Sequence, residues 1–539
     1  DEKFRKEQDG VLYPRSGTLG GCTAHNAMVM MYPHNSDWDY IAKLMNDPTW
    51  HSKNMHKYFK RLERCEYIPK WKFWSRLWSR HGFDGWLPTS IGDSTMLRQD
   101  KVLKKLIGAA FKESISESWH TTPNPIKRIF RIILKLRSRL DPNHWRLIRR
   151  NLEGLSSIPV TIHQGRRAGT REYLQRVRKE FPDNLVIKAN TLVQRVLLDE
   201  HNKAYGVEYS IGPHQYRADP KHRKADTFKA EKAFVEREVI ISAGAFNTPQ
   251  LLMLSGIGPR DELEKHHIET KVNLPGVGKN LQDRYEVGIV SKLKENIPLI
   301  KGMKLRPPEA GEEADPQFSL WLQGEGPYTT NGATVALIKR SKPDLPDPDL
   351  LIFGLLGNFR GYYPTYSQDI GKEENIFTWA ILKAHTNNTN GCVKLRSSDP
   401  CDTPDINFHY FFEGANTEDD LESVINGVET VRRIIDRCGD LIEKEIYPGE
   451  AIKNREDIRS FVMNQAWGHH ASCTCKMGPS SDLMSVVDNR FRVHGTKNLR
   501  IVDASIFPKI PGFFIVSAVY MISEKASDDI IEDAMQDDL

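Results

Sequence analysis

An α/β fold, α+β overall, is predicted by three features of this sequence. Two runs rich in β-branched residues, "NLVIKA" and "REVIISAG", lie between Asn184 and Gly278, and the second ends at a glycine turn before a helix-like stretch. The same grammar returns from Asn498, where "NLRIVDAS" reads as a strand and "SAVYMISEKASDDIIEDA" as a helix ending in acids. These pieces stand far apart in the chain, so one sheet has to be assembled from separated segments.

Bulk properties narrow the function classes. At 539 residues the chain has room for about two to four domain-sized cores. Its net charge of +5, from 76 basic and 71 acidic residues, is too dilute to point to nucleic acid. Seven scattered cysteines make no disulfide framework and fit a reducing compartment, which slightly favours the cytoplasm. No apolar run reaches the roughly 18 residues of a membrane span. The opening "DEKFRKEQDG" is polar, lacks an initiator Met and an apolar signal core, and reads as the middle of something.

Along the chain, Val11 to Tyr32 is the first apolar-rich region. Trp71 to about Gln164 follows and is irregular. Within it, "IKRIFRIILKLRSRL" (Ile126 to Leu140) places Ile126, Phe130, Ile133, Leu136 and Leu140 at helical spacing. Residues 126–150 carry nine Lys/Arg and one Asp, so a membrane-surface helix is one reading. A domain helix with a solvated basic face is the favoured one, and no membrane association is expected. "IGPHQYRADPKHRKADTFKAEKAF" reads as an irregular excursion between strands, and Tyr285 to about Gln465 as a second irregular region.

Three motifs carry the chemistry. "TLGGCTAHNAM" (Thr18 to Met28) sets paired glycines, which let backbone approach a ligand, before a polar cluster. In "SAGAFNTPQLLMLSGIGP", Asn247 or Thr248 is expected to cap a helix with Pro249 in its first turn and Gly256 as its stop. "WGHHASCTCKMG" (Trp467 to Gly478) puts His469 and His470 before Cys473 and Cys475. The Cys-x-Cys spacing lacks the usual zinc-ligand pattern, and a redox dithiol is more typically Cys-x-x-Cys. No metal is expected.

These stretches resemble the signatures of the glucose–methanol–choline (GMC) oxidoreductases, flavin-dependent alcohol dehydrogenases and oxidases, in their choline-dehydrogenase-like branch. Gly20, Gly21 and Asn26 match the family's flavin loop, Ser255-Gly256-Ile257-Gly258 its second signature, and "GVGKNLQD" the segment that follows. "VVDNRFRVHGTKNLRIVDASIFPKIP" resembles the closing segment. The matches run in order over nearly the whole chain.

The resemblance implies a discontinuous Rossmann-like FAD-binding domain (1–66, 165–284 and 466–539) and a substrate-binding domain with an antiparallel sheet and helices (67–164 and 285–465). It implies oxidation of a small alcohol by hydride transfer to flavin N5, with His470 as general base and His469 a packing neighbour. Oxygen or another acceptor would take the electrons. Gly20, Gly21, His25, Asn26, Ala27, Met28, Asp503 and Ala504 would lie at the flavin, and Val193 at its adenine. His25, just before Asn26, matches the residue that in some members bonds covalently to the flavin; a packing role is the other reading.

Two departures qualify the resemblance. The family's Gly-x-Gly-x-x-Gly loop for the FAD pyrophosphate is not found in this sequence, which reads as a fragment beginning beyond that unit. Residues 1–539 alone are therefore expected to hold flavin poorly. Phe514 also stands where the family usually has a polar partner opposite the base. A non-redox hydroxynitrile-lyase-like flavoprotein and an inactive homologue are the alternatives, with a polyanion- or membrane-binding protein as a third.

Overall fold

A short parallel pair joins the two distant segments that the sequence singles out. The computed structural model describes residues 10–537 except 70, 93–99, 122–123, 126–128, 130–131, 135–139, 224–227 and 412–416. In it Val239–Ile241 pairs with Leu499–Ile501, Val239 opposite Leu499 and Ile241 opposite Ile501. The buried side chains of Val239, Ile241, Leu499 and Ile501 share a core with Leu252, Met253, Cys473, Cys475, Phe507 and Met521. The C-terminal helix, Val516–Asp537, forms as its apolar spacing predicts.

Two local expectations are corrected. The helix after Val239–Ile241 begins at Gly244, before Asn247 and Thr248, and Pro249 lies inside it. A proline there has no N–H for the carbonyl four residues earlier. That carbonyl, on Ala245, instead accepts the Thr474 hydroxyl at 2.7 Å. "NLVIKA" forms no strand: residues 184–189 lie at the surface, and no described strand runs beside them to complete a ladder. The predicted excursion is real in part. Ala204–Ile211 is followed by an irregular stretch before Ala230–Phe234 returns antiparallel to it. Most of the basic segment 126–140 lies outside the described residues.

The second core is built on six antiparallel strands: Gly154–Ser156 (β1), Tyr285–Leu293 (β2), Ala333–Lys339 (β3), Leu350–Leu356 (β4), Ile376–Lys383 (β5) and Ile442–Tyr447 (β6). Their order is β6-β2-β5-β4-β3-β1. Val287 and Ile289 of β2 and Ile381 of β5 are buried with Leu103 and Leu106 of Lys101–Thr121 and Val424 and Val428 of Thr417–Cys438. Each helix thus lays an apolar stripe on the sheet. Since Tyr285 opens β2 directly after "GVGKNLQD", the chain passes from the first core into the second at residues 282–286.

A buried ionic cluster steadies the extended segment that follows the glycine loop. His81 sits between Glu63 (Nδ1 to Oε2 2.8 Å) and Asp141 (Nε2 to Oδ2 2.8 Å). Asp141 Oδ1 accepts the Asn143 N–H, and Asn143 in turn donates to the Met30 carbonyl at 2.7 Å and accepts the Tyr32 N–H at 2.8 Å. Burial opposes charge on His81, but the two carboxylates outweigh it and push its pKa up to about 10. Because the folded value lies above the unfolded one of about 6.5, the imidazolium stabilises the fold fully below that pH. The contribution fades as pH rises towards the folded value. His81→Leu leaves two buried acids facing each other and is expected to cost about 3–5 kcal/mol. Denaturant titrations at neutral pH and at pH just above the folded value should show this difference shrinking.

Candidate active site

The two histidines of "WGHHASC" are placed by an irregular ladder. Glu286 bridges Trp467, and Gln282 bridges Ser472, both antiparallel; the first segment advances four residues between the bridges and the second five. One extra residue makes a bulge, and adjacent side chains then no longer alternate between faces. Both imidazoles accordingly turn to one carboxyl group. His469 Nε2 lies 3.4 Å and His470 Nδ1 3.7 Å from Glu286 Oε1.

Asp283 fills the gap that the bulge opens. Its Oδ1 accepts the backbone N–H of His470 and of Arg284, each at 2.8 Å. Its Oδ2 accepts the hydroxyls of Tyr13 at 2.7 Å and Tyr410 at 2.9 Å. Only glycine fits at 468, because a Cβ there would overlap Asp283 Oδ2 and the Tyr410 hydroxyl. The Tyr13 hydroxyl also accepts the Ala471 N–H at 2.8 Å.

Burial sets the protonation states. It holds His470 well below the usual imidazole range and His469 down at about 3, helped by His469 itself in the first case and by Arg284 and Arg15 in both. Burial, reinforced by Asp283, pushes Glu286 up to about 8. At neutral pH the cluster therefore consists of two neutral imidazoles and a protonated carboxyl. His470 Nδ1 and Glu286 Oε1 are both buried and have no hydrogen-bond partner among the described residues. The three groups offer donor atoms within 4.8 Å of one another, a set that could also take a metal ion.

One wall of the site is aromatic. Phe514 meets the His470 ring edge-on at 5.7 Å. Tyr362 stands edge-on to His469 at 5.5 Å, with Phe359 5.6 Å from Tyr362 and 5.5 Å from Trp467. Gly361, at φ 102°, lets this loop lie against the Trp467 ring. Cys473 and Cys475 belong to the buried core, where burial pushes the Cys473 thiol up to about 12, so they act as packing groups.

The glycine loop forms another wall. Gly20 and Gly21 adopt φ 91° and 53°, and space is open where a Gly21 side chain would project. Asn26 Oδ1 accepts from Arg167 at 2.7 Å and from the Met28 N–H at 3.0 Å. The Arg15 guanidinium lies over Tyr13 and Phe246 and donates to Cys22 Sγ at 3.4 Å. Desolvation first, and the Arg15 charge after it, lower the pKa of His25, His469 and His470. Space is also open at Gly244, and the Asp503 carboxylate is spent on the start of that helix, accepting from Gly244 N–H at 2.9 Å and Thr248 Oγ1 at 2.6 Å. Open glycine walls with Arg15 and Arg167 beside them fit a flavin ring, which gains negative charge on reduction.

Other residues named from sequence are less engaged. Ala27 is exposed, and its carbonyl accepts from Asn331 at 2.8 Å. Ala504 accepts the Cys473 N–H at 3.0 Å. Val193 is exposed on the Thr191–Leu198 strand, opposite Tyr209. Sequence reasoning passed over Glu286, Asp283, Tyr362 and Arg15; of these only Asp283 stands inside a quoted motif, "GVGKNLQD".

Known proteins are similar to this chain in sequence and architecture. Family models described as GMC oxidoreductase match residues 5–286 and 387–523. A mitochondrial choline dehydrogenase of Mus musculus is 37% identical over 96% of this chain and 76% of its own length. An oxygen-dependent choline dehydrogenase of Staphylococcus aureus is 30% identical over 96% of this chain and 80% of its own. Among solved structures, a formate oxidase of Aspergillus oryzae superposes with a TM-score of 0.74 at 22% identity, over 97% of this chain and 85% of that one.

Proposed function

The chain belongs to the GMC oxidoreductase family, and we propose that its cleft oxidises a small alcohol carrying a cationic group, with His470 as general base. It is an FAD-dependent oxidoreductase acting on CH–OH donors. The observation that carries the finer reading is the buried Glu286 carboxyl flanked by His469, His470 and the Tyr362–Phe359–Trp467 wall. A carboxyl group and aromatic faces together suit a quaternary ammonium. The relatives named for choline support the same class.

FAD, when bound, would supply the acceptor for the hydride that leaves the alcohol carbon. His470 receives the hydroxyl proton. Its imidazole is kept neutral by burial, which is the form a base needs. Its position is fixed through its own N–H on Asp283. The imidazolium that results lies beside Glu286, whose ionisation would balance it. Phe514 offers no hydrogen bond, so it excludes water from the base and leaves orientation of the hydroxyl to the histidines. By the family resemblance, Gly20, Gly21, His25, Asn26, Ala27, Met28, Asp503 and Ala504 would hold the flavin, with Arg15 and Arg167 as neighbouring cations.

Replacing His470 by Ala should leave flavin bound but slow its reduction by the alcohol about 10²-fold or more. Stopped-flow bleaching of the flavin absorbance reads this directly, and near-normal bleaching would sink the assignment.

Glu286 is neutral below about pH 8 and anionic above. For a cationic alcohol, kcat/KM should therefore rise with pH through that value. Glu286→Gln should flatten this limb and, above that pH, raise KM for the cationic alcohol about tenfold or more, the scale of a lost buried charge contact. A neutral carbon isostere of the same alcohol should barely change. Equal losses for both alcohols would remove Glu286 from cation recognition.

We also read His25 as the covalent attachment point of the flavin. His25 itself is exposed, and partial desolvation of its ring, with Arg15 and Arg167, lowers its pKa and favours the nucleophilic neutral form. Acid precipitation of the holoprotein should leave the yellow colour in the pellet, and His25→Ala should release it. Colour wholly in the supernatant of the parent protein would exclude the bond.

A further inference from the structure

A surface remote in role from the flavin cleft is also built for binding. Trp71 and the helix Phe73–Ser79 expose Trp71, Phe73, Trp74, Leu77 and Trp78 at 78, 66, 63, 56 and 50% of their area. Single exposed apolar side chains are ordinary, but five large ones within eight residues are a patch. Trp74 and Trp78, four apart in the helix, share one stripe with their rings 5.9 Å apart, and Trp71 stands just before the helix start. Phe73 and Leu77, four apart, form the neighbouring stripe.

Cations ring the patch. The Lys72 ammonium lies 4.8 Å over the Trp71 ring and the Arg146 guanidinium 5.0 Å over the Trp78 ring. "KWKFWSR" and the residues to Arg80 contain no acid. Arg146 belongs to the short helix Trp145–Ile148, whose Leu147 is buried with Leu134. Leu134 follows the exposed Ile133 in the basic segment. The one acid in residues 126–150, Asp141, is turned inward onto His81.

We propose that this surface docks on an anionic phospholipid bilayer, with the five apolar side chains entering the boundary between headgroups and acyl chains. Tryptophan suits that depth because its ring is apolar and its N–H stays in reach of water and headgroups. The flanking Lys and Arg meet the lipid phosphates, as on other in-plane membrane anchors. No helix among the described residues is long and apolar enough to cross a membrane. A second copy of the chain is the poorer occupant. A two-fold contact would set Lys72, Arg76, Arg80 and Arg146 against their own counterparts.

The test uses the full chain with flavin bound, vesicles of phosphatidylcholine, and vesicles of an equal mixture of phosphatidylcholine and phosphatidylglycerol. Co-sedimentation with the anionic vesicles should exceed that with the neutral ones by about tenfold or more, the scale of several Lys/Arg at a charged surface, and fall with salt. Tryptophan emission should shift to the blue and be quenched by brominated acyl chains. The triple variant Trp71→Ala/Trp74→Ala/Trp78→Ala should lose the binding about tenfold or more while oxidising alcohol in solution as before, since none of the three lies in the cleft. Equal sedimentation of parent and variant would overturn the proposal. So would a parent that is dimeric by sedimentation velocity, becomes monomeric in the variant and ignores vesicles. Tight binding of heparin or an oligonucleotide with no vesicle binding would overturn it too.

Discussion

The site hangs on one buried carboxylate. Asp283 accepts hydrogen bonds from Tyr13, Tyr410, His470 and Arg284, which come from four widely separated stretches of chain. Burial alone raises its pKa, and these donors act against that rise. Each donor left without Asp283 would be an unsatisfied buried group, so the four stretches are held together by a common penalty for separating. Arg284, next in sequence and fully buried, spends its guanidinium on the carbonyls of Ala384, just past β5, and Pro511, in the closing segment. The junction at residues 282–286 thus fixes the base relative to the antiparallel sheet and the sheet relative to the closing segment.

The electrostatics of the cleft follow from the same burial. A site of neutral imidazoles and a protonated Glu286 holds no net charge of its own, which keeps the cost of desolvation low before substrate enters. A cation arriving between the carboxyl and the Tyr362–Phe359–Trp467 rings would change that, since an opposite charge favours the ionised carboxyl. Substrate binding and the readiness of the neighbouring base are then linked through one titrating cluster, in which no single group owns its pKa. Arg15, on the glycine-loop wall, works in the other direction by opposing protonation of both histidines at rest.

Much of this was legible in the sequence because the motifs encode backbone needs. Gly20 and Gly21 adopt the left-handed conformations that their pairing suggests. The strands Val239–Ile241 and Leu499–Ile501 form where β-branched residues meet a turn. Composition was insufficient where a strand needs a neighbour, as "NLVIKA" shows with its residues at the surface. Glu286 was invisible for a different reason. It sits in "YEVGIVSKL" at what looks like an alternating polar position, and only the fold buries it against two histidines more than 180 residues away. Trp71, Trp74 and Trp78 show the converse, since tryptophans are ordinarily read as core and these face solvent.

The adjacency of His469 and His470 is the point where sequence and geometry disagree most usefully. In a regular strand, neighbouring residues point to opposite faces, so a His-His pair should deliver one ring to the site and one away from it. The ladder here spends five residues, from Trp467 to Ser472, against four on its partner, from Gln282 to Glu286. The surplus residue lets the Asp283 side chain replace a main-chain acceptor for the His470 N–H, and glycine at 468 makes room for that carboxylate. A bulge of this kind rotates both rings onto Glu286 and costs one ladder bond. The motif "WGHH" is therefore read as a unit: the tryptophan closes the aromatic wall, the glycine admits the acid, and the bulge turns two histidines into a pair around one carboxyl.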